Sequence, residues 1–227
     1  MPGSARIQGV SEVVLTPSSV TRVRRHPERA NYRRDTIYGI LDEGLICHLG
    51  FVAQGRPWVM PAMYARKRDF IYVHGSPSSR MLKTSASGVK ICLTVSLLDG
   101  LVLARSVFNH SMNYRSVVVS GRAQLVTDVD EKMVAFQALV DQVIKGRWED
   151  ARHPTQKELK ATKVLRLDLK DASAKVRQGP PLDPSADQVL RIWAGEIPLR
   201  VRPDPPIPAP DLPAGIPTPD YAEHYRR

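Results

Sequence analysis

A chain of 227 residues, 42% hydrophobic and 25% charged, can bury one ordinary core, so a single domain with irregular ends is expected. No apolar run is long enough to cross a bilayer, and the start, MPGSARIQGVSEVV, lacks a basic and apolar signal sequence, which points to a cytoplasmic protein away from membranes. The formal net charge of +10 divides evenly: residues 1–34 hold seven arginines against Glu12 and Glu28, and the rest holds 26 basic and 21 acidic side chains.

That distribution is an arginine-rich arm on a mildly basic body. Basic and aromatic residues do not interleave as they do in single-strand binders, so no nucleic-acid partner is expected. Residues 1–30 read as an arm that lies on the body or on a partner subunit. Asp35 is placed to cap a short helix with Ile37, Ile40 and Leu41 on its apolar side and Gly44 as its stop. Leu45 to Val52 is an apolar strand ending at Gln54-Gly55. Pro57 to Arg66 alternates, with Trp58, Met60, Ala62 and Tyr64 on one face, and Phe70 to His74 follows the Arg68-Asp69 turn. These three strands predict an antiparallel meander.

Next comes FIYVHGSPSSRMLK, residues 70–83, an apolar strand running into a polar turn and a short helix from Ser78 to about Ser87. Backbone N–H groups, hydroxyls and the Arg80 guanidinium converge there, as a phosphate site requires. The alternative is a plain junction whose serines cap the helix. VKICLTVSLL follows as a long strand, with Ile91, Leu93, Val95 and Leu97 on one face and the hydroxyls of Thr94 and Ser96 on the other. Asn113 to Ser116 form a polar cluster before the strand of residues 116–126, where Gly121 marks a bulge or a close approach.

Asp128 and Glu131 have capping-box spacing, and Met133, Phe136, Val140, Val143 and Ile144 predict the buried stripe of a helix. Thr162–Leu169 and Ala174–Arg177 read as closing strands. At least six strands with peripheral helices predict a mainly β fold, an antiparallel barrel with added helices. The proline-rich tail, residues 201–227, cannot pair in a sheet or wind into a long helix, and it reads as extended chain able to wrap a neighbour. Cys47 and Cys92 sit in apolar strands, are expected as buried free thiols, and form no metal-ligand pattern with any histidine.

The motifs PAMY (61–64), YVHGSPSSRMLK, KICLTVS (90–96), HSMNYRSVVVSGRAQLV (110–126), KVRQGPP (175–181) and WAGEIPL (193–199) resemble the pyridoxamine 5′-phosphate oxidase-like superfamily. Within it they resemble the flavin-nucleotide-binding branch, which includes the Nim-type proteins linked to 5-nitroimidazole resistance. The resemblance implies a domain over residues 31–200 with the FMN-binding split β-barrel fold, a Greek-key-like antiparallel barrel, acting as a homodimer with flavin at the interface.

Carried over by position, Met60, Pro61, Ala62, Met63 and Tyr64 would run past the flavin ring. His74, Gly75, Ser76, Ser79, Arg80 and Lys83 would surround its phosphate. Thr94 and Ser96 would line the cavity, and Tyr114, Ser116 and Val117 would approach the cofactor or the dimer seam. Trp193 is the candidate stacking or interface aromatic. His74 is the candidate catalytic neighbour of the flavin.

True pyridoxamine-phosphate oxidases end in RxxxWxxxRLxP. This chain reads RIWAGEIPLR there, so vitamin B6 oxidation is not implied. The expected activity is an FMN-dependent, NAD(P)H-linked oxidoreductase with a small-molecule electron acceptor. The alternative is a non-catalytic dimer that binds flavin, deazaflavin or haem.

Overall fold

The computed structural model describes residues 13–226, so the first twelve residues of the arm, with Arg6 and Glu12, lie outside the described residues. The described part of the arm lies on the body. The Leu15 N–H donates to the Tyr32 carbonyl, Arg34 N–H to that of Val13, and the Thr21 hydroxyl to Asp171. A short 3-10 turn at Pro27–Arg29 then leads to β1 (Ala30–Asn31) and α1 (Arg34–Glu43).

Ile37, Ile40 and Leu41 form the buried side of α1, as their spacing predicts. The cap differs: Arg33 holds the N-cap position, and Asp35, one residue inside the helix, binds the Arg33 guanidinium. A carboxylate in the first turn still faces the positive end of the helix dipole. Gly44 ends the helix with φ −68°, so its role is not a left-handed stop. A Cβ there would stand 2.5 Å from Val95 and 2.6 Å from the Tyr64 hydroxyl, and only glycine leaves both in place.

The meander is β2 (Ile46–Ala53), β3 (Arg56–Lys67) and β4 (Phe70–Gly75), each antiparallel to the one before. Its turns use positive φ at Gln54, Gly55 and Arg68, which matches the right-handed twist of the strands they join. After α2 (Arg80–Ala86) come β5 (Lys90–Leu103), a 3-10 turn at Val107–Asn109, β6 (Ser111–Arg122) and β7 (Gln124–Leu125). The helices α3 (Val129–Val143), α4 (Arg147–Asp150) and α5 (Gln156–Ala161) precede β8 (Lys163–Asp168) and β9 (Ala172–Arg177). Last are α6 (Ser185–Gln188), β10 (Gly195–Pro198) and α7 (Asp220–Glu223).

Strand order is β1-β9-β6-β5-β2-β3-β4-β8-β7, with β10 added to β5. β7 continues from β6 across the single residue Ala123. Because β6 pairs with β5 and β9 while β7 pairs with β8, the sheet curls back on itself into a barrel. Alternation fills it: Leu49, Phe51, Tyr64, Ile71, Val73, Leu93, Val95, Val117 and Val119 point into one core. Gly121 is the expected close approach, since a Cβ would meet the Leu167 side chain at 2.9 Å.

The buried stripe of α3 differs from the expected one. Ala135, Ala138, Leu139 and Gln142 face the barrel, Phe136 is half-buried, and Val143 is exposed. Small residues let the helix approach Ala65 of β3 closely, and Gln142 earns its buried place by donating to the carbonyls of Leu41 and Gly44. Only half of the capping box forms. Asp128 accepts from the Glu131 N–H, while the Glu131 carboxylate turns to Tyr72 and Arg166. Cys47 is buried as expected, and burial pushes its thiol up to about 12. Cys92 is exposed, because it shares the outward face of β5 with Thr94 and Ser96.

Candidate functional site

The expected site residues fall into four places. The first is a groove of about 580 Å³ between the meander and α2, lined among others by Phe51, Trp58, Met60, Ser79, Arg80 and Lys83. Phe51 and Trp58 are register partners on β2 and β3, which puts both rings on the core face at the open end of the barrel. The Arg80 guanidinium lies over the Trp58 ring, 4.2 Å from its centroid, a cation–π contact that holds the cation without neutralising it. Among the described residues no carboxylate forms a salt bridge with Arg80 or Lys83.

The serines divide. Ser76 and Ser78 bond to each other, hydroxyl to hydroxyl at 2.7 Å, and the Ser78 N–H donates to Ser76 Oγ. Ser79 occupies the N-cap of α2 without a side-chain cap hydrogen bond. Its hydroxyl is therefore not spent on the helix, contrary to the reading in which the serines only cap. With seven residues, α2 carries a weak dipole, so Arg80 and Lys83 supply the charge of the site. A second depression of about 430 Å³ shares Arg80, Lys83 and Thr84 and extends the groove past Gln54 and Val89.

The second place is the outer face of the sheet. Register sets His48 beside Pro61 on one side and Thr94 on the other, with Val118 next to Thr94; Ile46 pairs with Met63, and Ser96 with Ser116. Tyr114 lies on the same face at its far end, between Leu98 and Arg177. This face is largely uncharged, and Ile46, Val59 and Met63 are exposed on it. Thr94 and Ser116 bond to neighbouring strand carbonyls, of Val117 and Lys175, so Ser96 is the hydroxyl left facing solvent.

The third set points inward. Tyr64 is fully buried and donates to the Leu41 carbonyl at 2.6 Å, Ala62 packs on the core, and Val117 is buried. On a strand, Val117 cannot share a face with Ser116.

The fourth set stands apart. Gly75 packs against Leu82. His74, one residue earlier on β4, turns the other way, toward Phe136 of α3, at 6.1 Å between ring centroids. Its Nδ1 is buried without a partner, and burial lowers the pKa of the ring. Trp193 is exposed and leans over Gly195.

Trp58, Phe51 and Thr84 are groove residues that the motif reading did not assign. The alternation of β3 does place Trp58 beside Met60. No local pattern could show that α2 folds back over them.

A barrel closed by β7 on β8, with a cationic groove at its open end and a largely uncharged outer face, is the architecture of a split-barrel protein. The family model described as pyridoxamine 5'-phosphate oxidase matches residues 33–176, well over half of the chain, and the chain belongs to that family. No curated protein matches it.

Among solved structures it is similar to the flavocytochrome Anf3 from Azotobacter vinelandii, at 42% identity and a TM-score of 0.88 over 93% of this chain and 99% of that one. It is also similar to the FAD and heme binding protein from Mycobacterium smegmatis, at 34% identity and a TM-score of 0.82 over 85% and 95% of the two chains. A candidate 5-nitroimidazole antibiotic resistance protein from Bacteroides thetaiotaomicron shares the fold, at 22% identity and a TM-score of 0.54 over 63% and 83%.

Proposed function

We propose that this chain is a flavin-dependent oxidoreductase that works as a homodimer and also carries haem. The flavin reading is carried by one observation: Arg80 and Lys83 stand beside the uncommitted Ser79 hydroxyl in a groove where, among the described residues, no carboxylate forms a salt bridge with them. Such a place suits a phosphate group. Arg80, Lys83 and Ser79 would hold the phosphate, Trp58 would keep the guanidinium in position, and Met60 to Met63 of β3 would flank the ring.

FAD is favoured over the FMN expected from the motifs for two reasons. The adjoining depression at Arg80 and Lys83 offers room for a second nucleotide half, and a relative at 34% identity is described as binding FAD.

Haem needs an axial ligand and an apolar slot, not a cluster of three ligands, and no such cluster occurs among the described residues. Four histidines are engaged locally: His26 with Glu28, His110 with the Ser106 carbonyl, His153 with Trp148, and His224 with Asp220. Of the remaining two, His74 is closed in beside Phe136, whereas His48 presents its ring to open space between Pro61 and Thr94. His48 would therefore hold the iron. A second copy laid on this largely uncharged outer face would exclude water from it.

When bound, the flavin would accept hydride from NAD(P)H, and the haem would supply a one-electron step. The chain's own part is to neutralise the phosphate, orient the ring and keep the site dry. Hydride transfer asks for no acid and base pair, and none is assigned here.

The test is to purify the protein and record its visible spectrum, identify the released flavin by chromatography, and add NADH or NADPH without oxygen. Flavin and Soret bands, both bleached or shifted on reduction, are expected. Protein that takes up no flavin overturns the reading. Flavin without a Soret band removes the haem, and His48→Ala that keeps its haem moves the ligand elsewhere.

A further inference from the structure

The segment between β10 and α7 is a long exposed arch anchored at both ends. Its start is fixed where β10 pairs with β5 and the Leu199 N–H donates to the Asp99 carbonyl. Its end is fixed on the helices: Tyr221 accepts from Arg147 and donates to Asp150, and Tyr225 donates to the Val143 carbonyl. Between these anchors, every residue from 199 to 218 is exposed. The one backbone hydrogen bond inside the segment joins Leu212 to Ala209.

This arch is not built like a solvated linker. It holds seven prolines, which stiffen it and lower the entropy lost on docking. Two arginines, Arg200 and Arg202, balance Asp204 and Asp211, so its net charge is zero. Its aliphatic side chains are bare: Val201 is 95% exposed and Ile207 92%, with Leu212 and Ile216 also open. Phe108, at the tip of the β5–β6 connection, is 92% exposed as well. Apolar side chains held open on a stiff chain anchored at both ends lower the free energy once another surface covers them.

We propose that residues 199–218 are a strap that closes over a second copy of this chain. The proposal rests on the homodimer of the preceding section and adds the element that clamps it. Two observations favour a second copy over a different protein. The arch starts from β10, on the same strand, β5, that gives Thr94 and Ser96 to the outer face, so strap and face are continuous. The strap carries no net charge, which lets it approach a second chain of net charge +10 without repulsion. A two-fold axis makes the contact reciprocal, each strap lying on the other copy.

The experiment places a photo-reactive residue at position 207 of the full-length protein and follows sedimentation, denaturing gels and flavin content separately. A dimer by sedimentation that gives a covalent pair of doubled mass on irradiation is expected. Ile207→Asp with Val201→Asp should raise the dimer dissociation constant roughly tenfold or more with an unchanged circular dichroism spectrum. A dimer whose links fall only within one chain, or whose dissociation constant is unmoved by the charges, overturns the strap and leaves the dimer standing. A monomer overturns both. A flavin-free dimer that still cross-links overturns the flavin reading and leaves the strap.

Discussion

Arg80 and Arg177 are two cations of one small protein with opposite surroundings. Arg80 is exposed, lies over the Trp58 ring and has no carboxylate salt-bridge partner among the described residues. Arg177 is buried, and its guanidinium donates to Asn113 and to the carbonyls of Gly179 and Pro180, so every bond it makes holds the turn after β9 to the sheet. Arg115 resembles the second case, clasped by Glu43 and by Asp99, the extra residue of the bulge in β5. A cation whose hydrogen bonds are filled by its own chain is part of the fold, whereas one held in place yet left unneutralised is available to a ligand.

The comparison can be broken by exchanging the effects. Arg177→Ala leaves an asparagine and two carbonyls short of a donor, and should lower the unfolding free energy by about 2 kcal/mol in urea titrations. Flavin affinity measured on the folded protein should hold. A stable Arg177→Ala variant with weakened flavin binding would reverse the two roles.

Arg80→Ala should do the opposite. Loss of a charge-assisted contact to phosphate should weaken flavin binding by roughly 1.5 to 3 kcal/mol, about ten- to hundredfold. The urea midpoint of the flavin-free protein should move little, since the side chain is exposed and makes no bond that the fold needs. Equal flavin affinity in wild type and Arg80→Ala would mean that the phosphate lies elsewhere.

A smaller effect sharpens the contrast on the neighbouring strand. Burial lowers the pKa of His74, so the folded protein binds its proton less readily than the unfolded chain does. The contribution of neutral His74 to stability is thus present above the ordinary histidine value of 6.5 and is lost as pH falls below it. Unfolding titrations in steps from neutral to mildly acidic pH should show this decline, and His74→Phe should flatten it. The carboxylates held low by partners, Asp35 and Glu158, act in a more acidic window because both lie at about 2. An unchanged slope in His74→Phe would mean that another group titrates.

Much of the fold was legible because its signals are local. Alternation of apolar residues marked the meander and β5, and turn residues marked where the meander strands end; the meander, β8 and β9 follow within a residue or two, while β5 runs on five residues past Leu98 to Leu103. β6 is an exception, since it starts at Ser111, five residues before its apolar run. Pairing with β5 through Val102 recruits polar residues that no hydrophobic pattern announces. Within the site, Ser79, Arg80 and Lys83 were visible as a hydroxyl and cation cluster at a strand-to-helix turn. Phe51 and Trp58 were not, because they reach the groove only when two strands pair and α2 packs across them.

The sequence by itself determined the strands, the family motifs and the cationic character of the Ser79–Lys83 turn, since each depends on residues close together along the chain. Tertiary structure decided which faces those residues occupy: His74 toward Phe136, Val117 into the core, Cys92 and His48 outward, and Arg80 onto Trp58. The physical reason is that the side of a strand that becomes interior is set by partners tens of residues away. Barrel closure through β7 and β8 chooses that side for the whole sheet at once.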